Sequence, residues 1–257
     1  MSDNVRFYWQ NLFDAATLTA SSEDAEFPAE NLQERHWTIP WRSTGCTSEW
    51  VKWDLGSALA IKALVIRGHN LTTGATVHIQ ASATDVWTSP AVDETITITS
   101  AMISAGLISV NWTTAKTYQW WRLTIVDASN PDGYIELGRL FCGSYDAPER
   151  QASAEYSWEQ PVASTIKKSA KGQKWVTINP DYLVLLVKFN DFGTADLALY
   201  EAMRKALSGN YAFFFCDDPA NLTTRTFYVS CTSGWKIEHQ HGGICYSMDL
   251  TLEEEQG

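Results

Sequence analysis

Basic residues are scarce in this sequence. Against 30 Asp and Glu stand 19 Lys and Arg, a formal net charge of −11 over 257 residues. That balance lacks the positive footprint a phosphate backbone demands, which argues against direct nucleic-acid binding. Long apolar runs are missing as well. No stretch of about 18 apolar residues is present to span a bilayer, and Met1 to Phe7 has neither the basic start nor the apolar core of a secretory leader. The expectation is a soluble protein made in a cytoplasm, with no membrane insertion. Cysteines number five (Cys46, Cys142, Cys216, Cys231, Cys245), with no CxxC pair. An odd count excludes a complete disulfide framework, so these residues read as small buried hydrophobes. Catalytic signatures are lacking too: there is no G-x-S-x-G elbow, no H-E-x-x-H, no Walker loop and no G-x-G-x-x-G.

What is present is a core. Hydrophobic residues make up 45% of the chain and 12 of them are Trp, enough to fill one large or two ordinary domains. From Trp50 to about Gly143 the apolar residues alternate, broken every ten residues or so by Gly, Asn, Asp, Ser or Pro, which predicts short strands. Val51, Trp53 and Leu55 fall on one face, Lys52 and Asp54 on the other; Trp121, Leu123 and Ile125 likewise oppose Arg122 and Thr124. Further strands are predicted at 60–67, 77–81, 95–99 and 107–110, with 134–141 closing the series. Two packed sheets would bury these faces.

At Ser144–Gln151 a polar, proline-containing stretch marks a boundary. Beyond it, 155–158 and 174–178 read as strands joined by a lysine-rich hairpin, and 182–189 as a strand apolar enough to be covered on both sides. One helix follows, capped by Thr194, with Asp196 at its positive end and Arg204 and Lys205 at its negative end. It has a stripe of Leu197, Tyr200, Met203 and Leu207. Strands resume at 211–216, 226–231, 235–238 and 244–252. Residues 1–14, through the alternation of Val5, Phe7, Trp9 and Phe13, read as a strand of this second sheet, which would make the first domain an insertion.

Two families are resembled, one per half. Pro28-Ala29-Glu30-Asn31, Trp41-Arg42-Ser43, Trp53-Asp54-Leu55-Gly56 and Trp121-Arg122-Leu123-Thr124-Ile125 resemble the framework of the discoidin, or coagulation factor C-type, jelly roll over residues 15–143. That resemblance implies a binding module whose loops at one end of the sandwich meet sugars, lipid head groups or protein. The terminal disulfide of many extracellular members does not carry over to Cys46 and Cys142. Residues 152–257, through the helix, the run Gly209-Asn210-Tyr211-Ala212-Phe213-Phe214-Phe215-Cys216-Asp217-Asp218-Pro219 and the closing strand ending Leu250-Thr251-Leu252-Glu253-Glu254, resemble distal tail and minor tail proteins of long-tailed bacteriophages. The fold class is therefore mainly β: a discoidin-like β-sandwich, a linker at 144–151, and an α+β domain with one helix packed on an antiparallel sheet.

Sugar binding needs a ring to stack on and polar partners beside it. In the loops of the first domain these are His36, Trp37, Arg42, His69 and Asn70; alternatively Trp37 and Trp41 plug the bottom of the sandwich and the polar residues cap loops. In the second, a hairpin over 156–175 carries Lys167, Lys168, Lys171 and Lys174, either as a solvated tip or as a contact with an acidic neighbouring subunit. His239 and His241, near Cys231 and Cys245, have thinkable zinc spacing but read more simply as a hairpin end. Asp217-Asp218-Pro219 reads as a turn, and Asp127, Asn130, Asp132 and Gly133 as a loop that could hold calcium. No metal, cofactor or catalytic residue is assigned.

The functional expectation is a non-enzymatic virion protein of a phage tail tip or baseplate hub. It would form a ring of about six subunits, with tube, hub and fibre proteins as partners and a host-surface glycan as a possible ligand. The alternatives are a separate carbohydrate-binding protein accessory to a hydrolase, and an enzyme with an unrecognised site.

Overall fold

The computed structural model describes residues 4–153, 156–161, 165–177, 182–208, 210–240 and 245–256. It divides into two units, one comprising Gln10–Asp146 with Ala220–Thr226, the other Met1–Trp9, Ala147–Pro219 and Phe227–Gln256.

The chain begins with β1 (Arg6–Tyr8), whose partner strand lies in the far half, and then builds the sandwich. Its strands are β2 (Thr17–Ala20), β3 (Trp41–Arg42), β4 (Glu49–His69), β5 (Thr76–Ser82), β6 (Val92–Thr97), β7 (Leu107–Val126) and β8 (Glu136–Gly143). The pairing order is β3-β8-β4-β7-β5-β6, with β2 on β4. Where the sequence predicts several short strands, β4 and β7 are single ribbons of 21 and 20 residues. Gly56, which reads as a stop, is a bend: its φ of 75° is one that a side chain resists, Asp54 Oδ1 accepts its N–H at 2.8 Å, and the β4–β7 register slips between Asp54 and Leu59 and again between Ile61 and Ala63. Bulges of this kind turn a sheet through a corner. The first part of β4 pairs with β2 and the end of β7, the second with β8 and the start of β7. Residues from both parts share one hydrophobic core. Three indoles, Trp41, Trp53 and Trp121, are wholly buried there, with Trp53 and Trp121 stacked at 6.5 Å and 13°.

The predicted strand at 95–99 ends early, at Thr97. Thr99 instead caps a short helix, α1 (Ser100–Ala105), its Oγ1 accepting the Met102 N–H, and Gly106 closes it with φ 59°.

The second unit contains β9 (Ser157–Glu159), β10 (Thr165–Lys168), β11 (Lys174–Thr177), β12 (Val184–Phe192), α2 (Thr194–Ala206), β13 (Phe213–Cys216), β14 (Thr226–Cys231), β15 (Lys236–Gln240) and β16 (Cys245–Glu254). Its main sheet runs β1-β13-β14-β16-β12-β9, with β15 also on β16. β1 pairs antiparallel with β13, Phe7 opposite Phe215, so the sandwich lies in sequence between two strands of this sheet. Phe13 does not follow Phe7: it packs in the sandwich core, edge-on to Trp53 at 5.3 Å. α2 covers the sheet through Tyr200, which meets Phe189 at 5.2 Å and Phe192 at 5.0 Å.

Three expectations are corrected here. Gly193, not Thr194, holds the cap position of α2 and offers no side-chain bond. Asp196, near the positive end as expected, is buried and accepts the Glu149 and Arg150 N–H groups at 2.8 and 3.0 Å. β12 buries one face only, Leu185, Val187 and Phe189 alternating with half-buried neighbours. The strand near residue 158 joins β12 rather than the lysine hairpin, which is the separate β10–β11 pair; 155 and 178 lie outside the described residues.

All five cysteines are free thiols, four of them buried. Burial pushes the Cys142 thiol up to about 12, so it is unreactive at neutral pH. Among the described residues, no helix is long and apolar enough to cross a membrane.

Candidate functional site

Because β4 turns back on itself, the loops before and after it meet at one end of the sandwich. Asp127 joins them: its N–H donates to the Cys46 carbonyl at 2.8 Å, and its carboxylate accepts from Thr72 N–H (2.8 Å), Thr72 Oγ1 (2.7 Å) and Asn130 Nδ2 (3.1 Å). Asp127 is 1% exposed. In the loop that could hold calcium, the Asp127 carboxylate is taken up by three donors, which makes it a hydrogen-bonded clasp. No group of three or more metal-binding side chains forms among the described residues. His239 stands exposed against Tyr246, and His241 lies outside the described residues.

Two of the five predicted ligand residues come together. The Arg42 guanidinium lies between two rings, 4.0 Å from the centre of Phe27 and 4.4 Å from that of Tyr134. Its Nε and Nη2 donate to Glu136 Oε2 at 3.1 and 2.7 Å, and this bond is the main reason its pKa is raised. Asn70 links the same residues from the other side: Nδ2 donates to Asp132 Oδ2 (3.0 Å) and to the Tyr134 carbonyl (2.9 Å), and Oδ1 accepts the Glu136 N–H (2.8 Å). A half-exposed cation flanked by rings, with fixed carboxylate and amide groups alongside, suits a polyhydroxylated ligand that stacks and hydrogen-bonds at once.

The other three stand differently. His36 is exposed in a turn in which Ile39 N–H donates to its carbonyl. Trp37 is a cover: it lies against Gly68 and Gly138, which face each other across β4 and β8, and the Arg67 guanidinium sits 4.9 Å from its ring. Its ring stands over Gly68 and its carbonyl oxygen over Gly138. His69 is half-buried, its Nδ1 accepting the Leu71 N–H at 3.3 Å. Sequence reasoning missed Phe27, Tyr134 and Glu136, and gave Asp132 a place only in the loop that could hold calcium. The signal available was the predicted strand start at Tyr134, but only tertiary pairing of β3 with β8 sets Arg42 opposite Glu136.

Burial, aided by the Arg67 charge, lowers the His69 pKa below its ordinary value. The unfolded chain therefore binds a proton below about pH 6.5 that the folded chain refuses, so stability falls as pH drops through that value. His69→Gln is expected to flatten the fall in melting temperature between pH 7 and pH 5. A variant whose pH profile superimposes on the parent's would contradict this.

The hairpin β10–β11 presents Lys167, Lys168, Lys171 and Lys174, all exposed, with Lys168 opposite Lys174 and Lys167 opposite Trp175. Trp175 and Val176 are 52% and 55% exposed. Among the described residues the pair adds to no other sheet.

No protein-family model matches this chain, and no curated protein does. Among solved structures it is similar to chitosan-binding module 1 from a chitosanase/glucanase of Paenibacillus sp. IK-5, at 22% identity and TM-score 0.45, over 52% of this chain and 99% of that one. It is similar to a fucose-binding module of Streptococcus pneumoniae, SpX-3, at 11% identity and TM-score 0.43, over 53% and 99%. A third similarity is to the family 32 carbohydrate-binding module of C. perfringens NanJ, solved with galactose, at 14% identity and TM-score 0.40, over 55% and 99%.

Proposed function

We propose that this chain is a non-catalytic glycan-recognition protein whose sandwich binds sugar at its loop end. The observation that carries the reading is the Phe27–Arg42–Tyr134 stack fixed by Glu136, with Asn70 and Asp132 beside it. A sugar ring offers an apolar C–H face and a rim of hydroxyls, and this cluster supplies partners for both.

We further propose a finer reading of the α+β unit, a homo-oligomeric tail-tip subunit of a long-tailed bacteriophage, on the sequence resemblance of residues 152–257. The favouring observation is the β10–β11 hairpin. A two-stranded hairpin alone in water is marginally stable, and this one exposes an indole and a valine among four lysines on a chain of net charge −11. A neighbouring copy supplies both the acidic surface and the apolar cover it calls for. The reading places the protein in the virion after synthesis in the host cytoplasm, with tube, hub and fibre proteins as partners.

A glycan array probed with the full chain, together with light scattering, tests both. Binding that Arg42→Ala abolishes supports the recognition reading; hydrolysis of any arrayed polysaccharide overturns its non-catalytic part. A ring of about six subunits that Trp175→Glu dissociates supports assembly. A strict monomer at high concentration removes it and leaves a separate carbohydrate-binding protein.

A further inference from the structure

The sandwich carries a second surface that the loop end does not account for. On the outward side of its β2-β4-β7-β5-β6 layer, register aligns Lys52, Arg122, Gln80 and Asp93 in one row across four strands. At the standard strand spacing that row runs for about 14 Å. Two cations directly opposite one another repel and would weaken an ordinary sheet; here both are held. Lys52 Nζ lies 5.8 and 5.7 Å from the ring centres of Trp50 and Trp120 and pairs with Asp85 at 2.5 Å. Arg122 lies 4.4 Å from the ring of Trp87 and donates from Nε and Nη2 to Gln80 Oε1 at 2.9 and 2.6 Å. Gln80 in turn donates to Asp93 at 3.1 Å, and Trp87 Nε1 to Asp85 at 2.6 Å.

The inward faces of the same strands already bury Trp53 and Trp121, so Trp50, Trp87 and Trp120 are not needed for that core. They are partly exposed, and each has a cation of the row beside its ring, Lys52 by Trp50 and Trp120 and Arg122 by Trp87. Fixed indoles with fixed donors and acceptors between them are the ingredients of a stacking platform. Charge narrows the occupant. Lys52 is matched by Asp85, and Arg122 through Gln80 by Asp93, which also bonds His78 at 2.9 Å; Asp54, opposite Trp120, accepts from Gln119 at 2.7 Å, so the face holds no surplus of positive charge to draw an acidic chain.

We infer that this sheet face is a second binding site, taking an uncharged linear polysaccharide laid across the strands. It rests on the sheet face alone and does not require the loop-end reading to hold.

The test uses the full chain, a galactomannan as neutral probe and chondroitin sulfate as acidic probe. Hydroxyl-radical footprinting with galactomannan is expected to protect the peptides holding Trp50, Trp87 and Trp120 several-fold. In native gels containing galactomannan, Trp120→Phe and Trp87→Ala should each weaken retardation about tenfold, equivalent to about 1.4 kcal/mol, with melting temperatures confirming the fold. Trp87 lies in the loop between β5 and β6, where substitution spares the core. Protection confined to peptides holding Trp37 and Tyr134 would overturn this site and leave the loop-end reading standing. Absence of galactomannan protection at the sheet face, or retardation by chondroitin sulfate alone, would overturn it as well.

Discussion

Replacing Gly138 with alanine is expected to destabilise the sandwich by about 3 kcal/mol or more, a fall of about 10 °C in melting temperature for a unit of this size. A Cβ at this position would lie 2.3 Å from the Trp37 carbonyl oxygen and 2.5 Å from that of Arg67. Both neighbours are backbone, so no rotamer change relieves the clash, and the cover loop or the β4–β8 pairing must part. Opposite it, Gly68 holds φ 78° with the Trp37 ring 2.9 Å from where its Cβ would be. The tryptophan that resembles a sugar platform is thus seated on two missing side chains. Gly74→Ala in the same unit is the control: its nearest contact would be an ordinary 3.5 Å to Thr72 Oγ1, and a change within about 0.5 kcal/mol is expected. Equal melting temperatures for the two variants would show that Trp37 is loosely held and return it to the set of candidate ligand residues.

That example shows where sequence reading works and where it stops. Alternation along a strand is local, and the inward faces of Val51 and Trp53, of Trp121, Leu123 and Ile125, and of Tyr246, Met248, Leu250 and Leu252 were all legible from it. The α2 stripe was legible for the same reason. Register is not local. Nothing in the spacing of Lys52, Gln80, Asp93 and Arg122 along the chain places them in one row, and nothing pairs Arg42 with Glu136 until β3 meets β8. Corners are also opaque, because a glycine that bends a strand and a glycine that ends one look alike; Gly56 bends. Six residues are too few for α1 to show a helical period, so its cap Thr99 read as strand. Loop chemistry was ambiguous in kind: Asp, Asn and Gly at short spacing serve a cation or a backbone clasp equally well.

Asp127 separates those two possibilities, and its substitution has the other large expected effect. Asp127→Ala removes the acceptor for Thr72 N–H, Thr72 Oγ1 and Asn130 Nδ2 together. It leaves these donors facing the place of a residue that is 1% exposed. Hydrogen bonds to a charged group contribute more than neutral ones, and stranded buried donors add their own penalty, so a loss of about 4 kcal/mol is expected in denaturant unfolding. Asp127→Asn keeps one acceptor oxygen but turns an NH₂ toward a donor, and should cost about half as much. Amide exchange should accelerate in residues 70–75 and 127–133 before the strands are affected, since this clasp fastens loops and not sheets. Because Asn70 and Asp132 lie within the fastened segments, loop-end glycan binding should weaken in parallel with loop opening, whereas galactomannan at the sheet face should not. A cation site makes the opposite forecast: a chelator would lower the parent melting temperature by several degrees, and Asp127→Ala would become insensitive to it. If chelation changes nothing and the alanine variant is destabilised as expected, the carboxylate is structural and its loop end is built by hydrogen bonds alone.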